Sequence, residues 1–251
     1  MWEPGTLALV GVVFFAAGLV KGVTGLGLPT ISLALLTVFL GLKDALALLL
    51  VPSFVTNVWQ AAVGGVLGQI LRRLWTLLAA LCVGTWIGVG VLARGETTVL
   101  SGLLGLLLCL YAAASMAQFR IPPPGRFEPF VGPAVGAVNG VLTGMTGSFV
   151  VPGVFYLQAL GLTRDVLVQA MGVLFTVATV ALALALNDQR LVSADAAGVS
   201  LVALAPALAG MAAGQALRRH LSESGFRRAF LASLFLIGAW IVAQAAAQFL
   251  R

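Results

Sequence analysis

The reading of this chain turns on Gly18-Leu19-Val20-Lys21-Gly22-Val23-Thr24-Gly25-Leu26-Gly27-Leu28-Pro29, a glycine-rich stretch set between two apolar runs. It has a companion further along: Gly136-Ala137-Val138-Asn139-Gly140-Val141-Leu142-Thr143-Gly144-Met145-Thr146-Gly147-Ser148, with Pro152 just beyond. In a helix interior Gly costs about 1 kcal/mol and Pro about 3 kcal/mol. Both stretches are therefore predicted to break a helix. They would be tight loops at a membrane surface, or the tips of helical hairpins that end inside the membrane.

Outward from these breaks the chain divides into apolar segments at 6–20, 26–42, 44–67, 74–93, 97–118, 129–142, 147–161, 165–187, 196–217 and 226–249. A hydrocarbon core of about 30 Å needs around 20 apolar residues per helix. Segments 44–67, 74–93, 97–118, 165–187, 196–217 and 226–249 satisfy that requirement. The other four are short and form two adjacent pairs, each built around one glycine-rich stretch. Of the 251 residues, 61% are hydrophobic and 9% charged, and mean hydropathy is +1.09. A soluble domain carries roughly 25% charged residues, so this chain lacks the polar surface to face water. The class is an all-α integral membrane protein. Met1-Trp2-Glu3-Pro4 offers no basic n-region, so the first apolar run is expected to stay in the protein.

The net charge of +6 does not point to nucleic acid. The basic residues fall in short clusters between apolar runs (Arg72-Arg73, Arg120 with Arg126, Arg218-Arg219, Arg227-Arg228), as in cytoplasmic loops under the positive-inside rule. With the N-terminus outside, ten segments place all these clusters on the cytoplasmic side. The loops holding Arg94-Gly95-Glu96 and Asp188-Gln189-Arg190 then fall outside.

The two breaks also resemble each other. Gly18-x-Val20-Lys21-Gly22-Val23 matches Gly136-x-Val138-Asn139-Gly140-Val141, and Thr24-Gly25 matches Thr143-Gly144 after one inserted residue. Downstream, Asp44 matches Asp165 and Phe54 matches Phe175. The expected organisation is repeat 1 at 1–119, a polar linker at 120–128 containing Pro122-Pro123-Pro124-Gly125, and repeat 2 at 129–251. Each repeat holds about five apolar segments and opens with a short or re-entrant hairpin. The linker is expected to be non-helical. Copy one begins outside and copy two inside, so the repeats are inverted. Inverted repeats with discontinuous helices recur in secondary transporters, whose sites lie near the midplane at half-helix ends.

Candidate binding residues follow from that architecture. Lys21 is the one basic residue inside an apolar stretch. A cation at membrane depth costs about 2.5 kcal/mol or more and is usually functional; the competing reading is a lysine near the interface that snorkels to water. Thr24 and Gly25 in the first break, and Asn139, Thr143, Gly144, Thr146, Gly147 and Ser148 in the second, offer hydroxyl, amide and backbone N–H donors to an anion. Close helix packing through small residues is the alternative. Ser53, Thr56, Asn57 and Gln60 share a helix face, as do Gln169 and Thr176 with Thr179 one turn on. These could line a pathway or hydrogen-bond between helices, and Asn57 and Gln169 join the candidate list. Pro52 is expected to free a carbonyl at that depth.

Asp44 and Asp165 each open a long helix, where N-capping and the helix dipole account for them. Cys82 and Cys109 read as small hydrophobes, and His220 stands alone among arginines. No metal set, phosphate loop or catalytic triad can be assembled. The expectation is a non-enzyme without cofactor or metal. Its partners would be a small anion and the lipid bilayer, with room for a coupling ion (H+ or Na+) and for a homo-oligomer.

At the two breaks and the helix after each, the chain resembles the TauE/SafE family, the sulfite exporter or toluene-sulfonate uptake permeases, over essentially its whole length. The glycines run G-x-x-x-G-x-x-G in the first half and one residue wider in the second. Family members show more consecutive glycines at the first turn than Gly25-Leu26-Gly27-Leu28-Pro29 has here. The resemblance implies a multi-pass secondary carrier of the bacterial inner membrane that moves sulfur-containing anions (sulfite, sulfonates or sulfoacetate) by alternating access. A passive anion channel of the same architecture and a non-transporting membrane subunit are the alternatives. The residues themselves say only "small anion".

Overall fold

A computed structural model describes residues 2–218, 220 and 222–249, with the Glu223 side chain left aside. Among these residues every regular element is helical: α1 (Pro4–Thr24), α2 (Leu28–Leu40), α3 (Leu42–Ala62), α4 (Leu67–Arg94), α5 (Thr97–Met116), α6 (Glu128–Thr146), α7 (Gly153–Ala159), α8 (Arg164–Asp188), α9 (Ala194–Leu217) and α10 (Glu223–Phe249), with a 3-10 turn at Gly125–Phe127. Seven helices (α1, α3, α4, α5, α8, α9, α10) are long and apolar enough to cross a membrane. Arg219, part of the predicted Arg218-Arg219 cluster, lies outside the described residues.

Two expectations need correction. The first apolar run is not short: α1 is 21 residues long and passes straight through Gly18, Lys21 and Gly22. Likewise α6 remains helical from Gly136 to Thr146. The breaks are confined to Gly25–Gly27 and to 147–152. The reason is tertiary. In a dry environment an open backbone group costs several kcal/mol, so the chain keeps its helical hydrogen bonds wherever it can. The glycines inside these helices serve helix–helix packing instead. The linker is irregular as predicted, except for the 3-10 turn Gly125–Phe127 that leads into α6.

The chain forms two compact units: residues 1–52, 96–118 and 192–251, and residues 53–95 and 119–191. In the first, α1 packs on α9, α5 on α10, and α2 on α1 and α10. In the second, α4 packs on α6 and α8, and α7 on α8 and α6.

Within each unit the main helix pair meets through a ladder of glycines. In the first unit a Cβ on Gly18 or Gly22 would collide with the carbonyl oxygen of Ala207 or Met211, and one on Gly210 or Gly214 with that of Phe15 or Leu19. In the second, Gly140 and Gly144 face the carbonyls of Leu81 and Thr85, while Gly84 and Gly88 face those of Ala137 and Val141. Each α1 rung recurs 122 positions later in α6 (18 and 140, 22 and 144), and each α4 rung 126 positions later in α9 (84 and 210, 88 and 214).

Pro52 interrupts the hydrogen bonding of α3. The carbonyl it frees, that of Leu48, accepts a hydrogen bond from the Ser200 hydroxyl on α9 at 2.7 Å, and Val51 N–H donates back to Ser200 Oγ at 3.1 Å. The freed carbonyl was foreseen; its partner, 152 residues away, was not.

Candidate functional site

The two breaks are built alike. Thr24 is the last residue of α1, and Gly25 follows at φ +78°, a left-handed position that favours glycine. Thr146 is the last residue of α6, and Gly147 follows at φ +76°. The Thr24 hydroxyl lies 2.9 Å from Val20 O, one turn back, and 2.7 Å from Leu26 O; Leu26 N–H donates to it at 3.2 Å. Thr146 donates to Leu142 O at 2.7 Å and accepts from Ser148 N–H at 3.2 Å. The structural counterpart of Thr24 is thus Thr146, not Thr143. The register of the two breaks sits about one helical turn beyond the match suggested by sequence. Glycine recurs every four residues at 136, 140 and 144, so the sequence comparison can slide by one turn without losing its matches.

In this register Lys21 corresponds to Thr143, and Asn139 to Ala17. Lys21 is buried, at 5% exposure, on α1 beside the packed face of α9, with Thr24 and Gly25 half-buried one turn on. In the second unit Asn139, Thr143 and Thr146 are fully buried, with Gly144, Gly147 and Ser148 buried around them. Thr143 donates to Ser148 O at 3.0 Å across the break. Asn139 Oδ1 accepts from Gly153 N–H, the first residue of α7, at 2.9 Å. Its Nδ2 has no hydrogen-bond partner among the described residues. Lys21, Asn139, Thr143 and Gly144 therefore lie on helices rather than in loops.

The threonine hydroxyls were expected to point at a ligand. Thr24, Thr143 and Thr146 instead direct them to backbone carbonyls, so they shape the breaks.

The polar stripe on α3 is buried throughout: Ser53 0%, Thr56 1%, Asn57 0% and Gln60 8% exposed. Ser53 Oγ and Gln60 Oε1 find no partner among the described residues. Gln169 is occupied structurally. It donates to Ala61 O at 2.8 Å and accepts from Val66 N–H at 3.3 Å, while Gln60 donates to Val168 O at 2.8 Å. These two glutamines tie the end of α3 to the start of α8. The sequence offered Gln169 either as a site residue or as a hydrogen-bonder between helices; the structure shows it in the second role, in a clasp that joins residues 108 apart. Gly153, whose N–H meets Asn139, was missed as well; its only sequence signal was the adjoining Pro152.

Cys82 and Cys109 are free and half-buried, less enclosed than expected. No group of His, Cys, Asp or Glu suited to a metal occurs among the described residues. Two open clefts, of about 340 Å³ in the first unit and about 420 Å³ in the second, are lined by none of the sequence-predicted site residues.

Seven apolar helices, interrupted hairpins and buried polar groups define a polytopic membrane transporter. The chain belongs to the TauE/SafE sulfite exporter family, whose model matches residues 10–241. No curated protein and no solved structure matches it.

Proposed function

We propose that this transporter is a secondary carrier that moves a small sulfur-containing anion of the sulfite, sulfonate or sulfoacetate class across the bacterial inner membrane by alternating access. Its N-terminus lies outside, and its halves, 1–119 and 129–251, act as inverted repeats joined by the linker 120–128. The second break binds the substrate through the directed N–H of Asn139, and Lys21 offers charge at the first break. The observation that carries this reading is the Asn139 amide: fully buried, one end held by Gly153, the other without a partner among the described residues. A buried donor left unmatched costs about 1–3 kcal/mol, and an oxyanion would satisfy it. The family match supports the cargo class. Discontinuous helices support alternating access, since carriers of this design bind substrate at half-helix ends. Among the described residues no carboxylate is buried, so coupling to H+ through a buried acid is disfavoured relative to Na+ or to no coupling.

The test is uptake of radiolabelled sulfite into proteoliposomes. Saturable flux with counterflow is expected, and Lys21→Ala and Asn139→Asp should each lower it by about tenfold or more, the equivalent of ~1.4 kcal/mol. Asn139→Asp keeps an acceptor for Gly153 N–H and replaces the amide donor with a carboxylate oxygen that, when ionised, repels an anion. Wild-type flux in both variants would take these residues out of the site. Single-channel currents would favour a channel, and absence of flux for every sulfur anion a non-transporting subunit.

A further inference from the structure

The cleft of about 420 Å³ in the second unit lies away from that unit's helix break, between the first turns of α6 and the early part of α4, beside the 3-10 turn Gly125–Phe127. Arg73 and Arg126 line it, with Trp75 and Tyr156. Arg73 is held in place by a bidentate pair with Glu128, Nε to Oε1 at 2.7 Å and Nη2 to Oε2 at 2.9 Å. Arg126 is exposed and stacks over the Phe127 ring at 4.9 Å. Arg72 is exposed one turn before Trp75. Against the two guanidinium groups that line it, the cleft sets one carboxylate, Glu128, already shared with Arg73. Large apolar side chains stand exposed around it: Trp75 64%, Phe127 54% and Phe130 76%.

The geometry points to a binding site for the phosphate head group of an anionic phospholipid. Two features argue for a lipid over a free solute. Positive charge and exposed aromatic rings occur together, which is how chains meet the bilayer interface, with the rings at head-group level and arginine on the phosphates. The cleft also lies at the arginine-rich ends of the helices, where the negative leaflet surface would be. A lipid phosphodiester would accept from Arg126 and from the edge of Arg73 not taken by Glu128, in charge-assisted hydrogen bonds. Its glycerol and acyl carbons would cover Trp75 and Phe130. This site is independent of the transport site proposed above.

Native mass spectrometry of the purified full chain tests it, with dioleoyl phosphatidylglycerol titrated against dioleoyl phosphatidylcholine. Phosphatidylglycerol should be retained about tenfold more strongly. The double variant Arg73→Gln, Arg126→Gln should bring that preference to within about twofold, while Arg126→Lys with Arg73 intact keeps most of it. Trp75→Ala should weaken retention of both lipids without removing the preference for phosphatidylglycerol. Equal retention of the two lipids, or a preference that survives the double variant, would overturn the site. So would displacement of the lipid by millimolar inorganic phosphate or sulfite, which would mark the cleft as a soluble-anion site. Unchanged thermal unfolding of the variants in detergent establishes that any loss is one of binding.

Discussion

The α1–α2 break and the α6–α7 break share a scaffold and differ in chemistry. Both end a helix on Thr followed by a left-handed Gly, both spend the Thr hydroxyl on the carbonyl one turn back, and both are pressed against a partner helix through glycines at equivalent rungs. Yet the first carries Lys21 where the second has Thr143, and the second carries Asn139 where the first has Ala17. The repeated part is what helix packing demands; the part that differs serves each break in its own way, with Thr143 and Asn139 bonding the backbone of Ser148 and Gly153 in the second. Steric fit between helices can therefore be duplicated while one break keeps a charge and the other a neutral donor.

The largest test of this comparison is on the shared scaffold. Gly144→Val forces a side chain into the Thr85 carbonyl and the backbone at Val89 and Gly88, and overpacking of this kind costs about 1–3 kcal/mol or more. Gly22→Val should behave alike against Met211. Both should yield markedly less folded protein by thermal unfolding in detergent. Gly11→Ala has nothing within 4 Å of the added carbon and should be neutral or stabilise by up to roughly 1 kcal/mol. A tolerant Gly144 beside an intolerant Gly22 would break the equivalence of the ladders.

A smaller effect separates the caps. Thr24→Val and Thr146→Val each remove a hydroxyl that donates to a helix carbonyl and accepts a turn N–H, so each should destabilise by about 1 kcal/mol. Similar shifts in melting temperature are expected. A cost confined to Thr146 would show that the half-buried first break is held by other means.

The smallest effect lies at the Arg73–Glu128 pair of the second unit. The Arg73 hydrogen bonds hold the Glu128 carboxyl below its usual range. A depressed carboxylate contributes stability above its unfolded pKa and loses it as pH falls through the folded value. Both groups are partly exposed, so the contribution is on the order of 0.5 kcal/mol. Glu128→Gln should lower the melting temperature slightly at neutral pH and have no effect well below the ordinary Glu range, near about 4.

Much of the fold was legible because membrane insertion writes itself into composition. Long apolar runs, arginine clusters and the Pro122-Pro123-Pro124 linker each answer a local demand. The breaks were located correctly but drawn too wide, since propensity penalises every glycine alike and does not register a partner helix that needs Gly18, Gly22, Gly140 and Gly144 to come close. Of the candidate site residues, Lys21 and Asn139 stand out in the sequence as polar groups in apolar stretches, whereas the hydrogen bonds of the threonines and Gln169 to backbone are visible only in the structure.

The sequence by itself determined that this chain lives in a bilayer, where it is interrupted, and which polar residues are carried into the apolar zone, because hydropathy and helix propensity act over a few residues at a time. Only the tertiary structure decided the register of the two breaks, the partner for the carbonyl freed by Pro52, and which polar groups are already satisfied. The bonds of Ser200 to Leu48 and of Gln169 to Ala61 join residues more than a hundred positions apart, and a hydrogen bond or a close backbone approach exists only once both sides are in place.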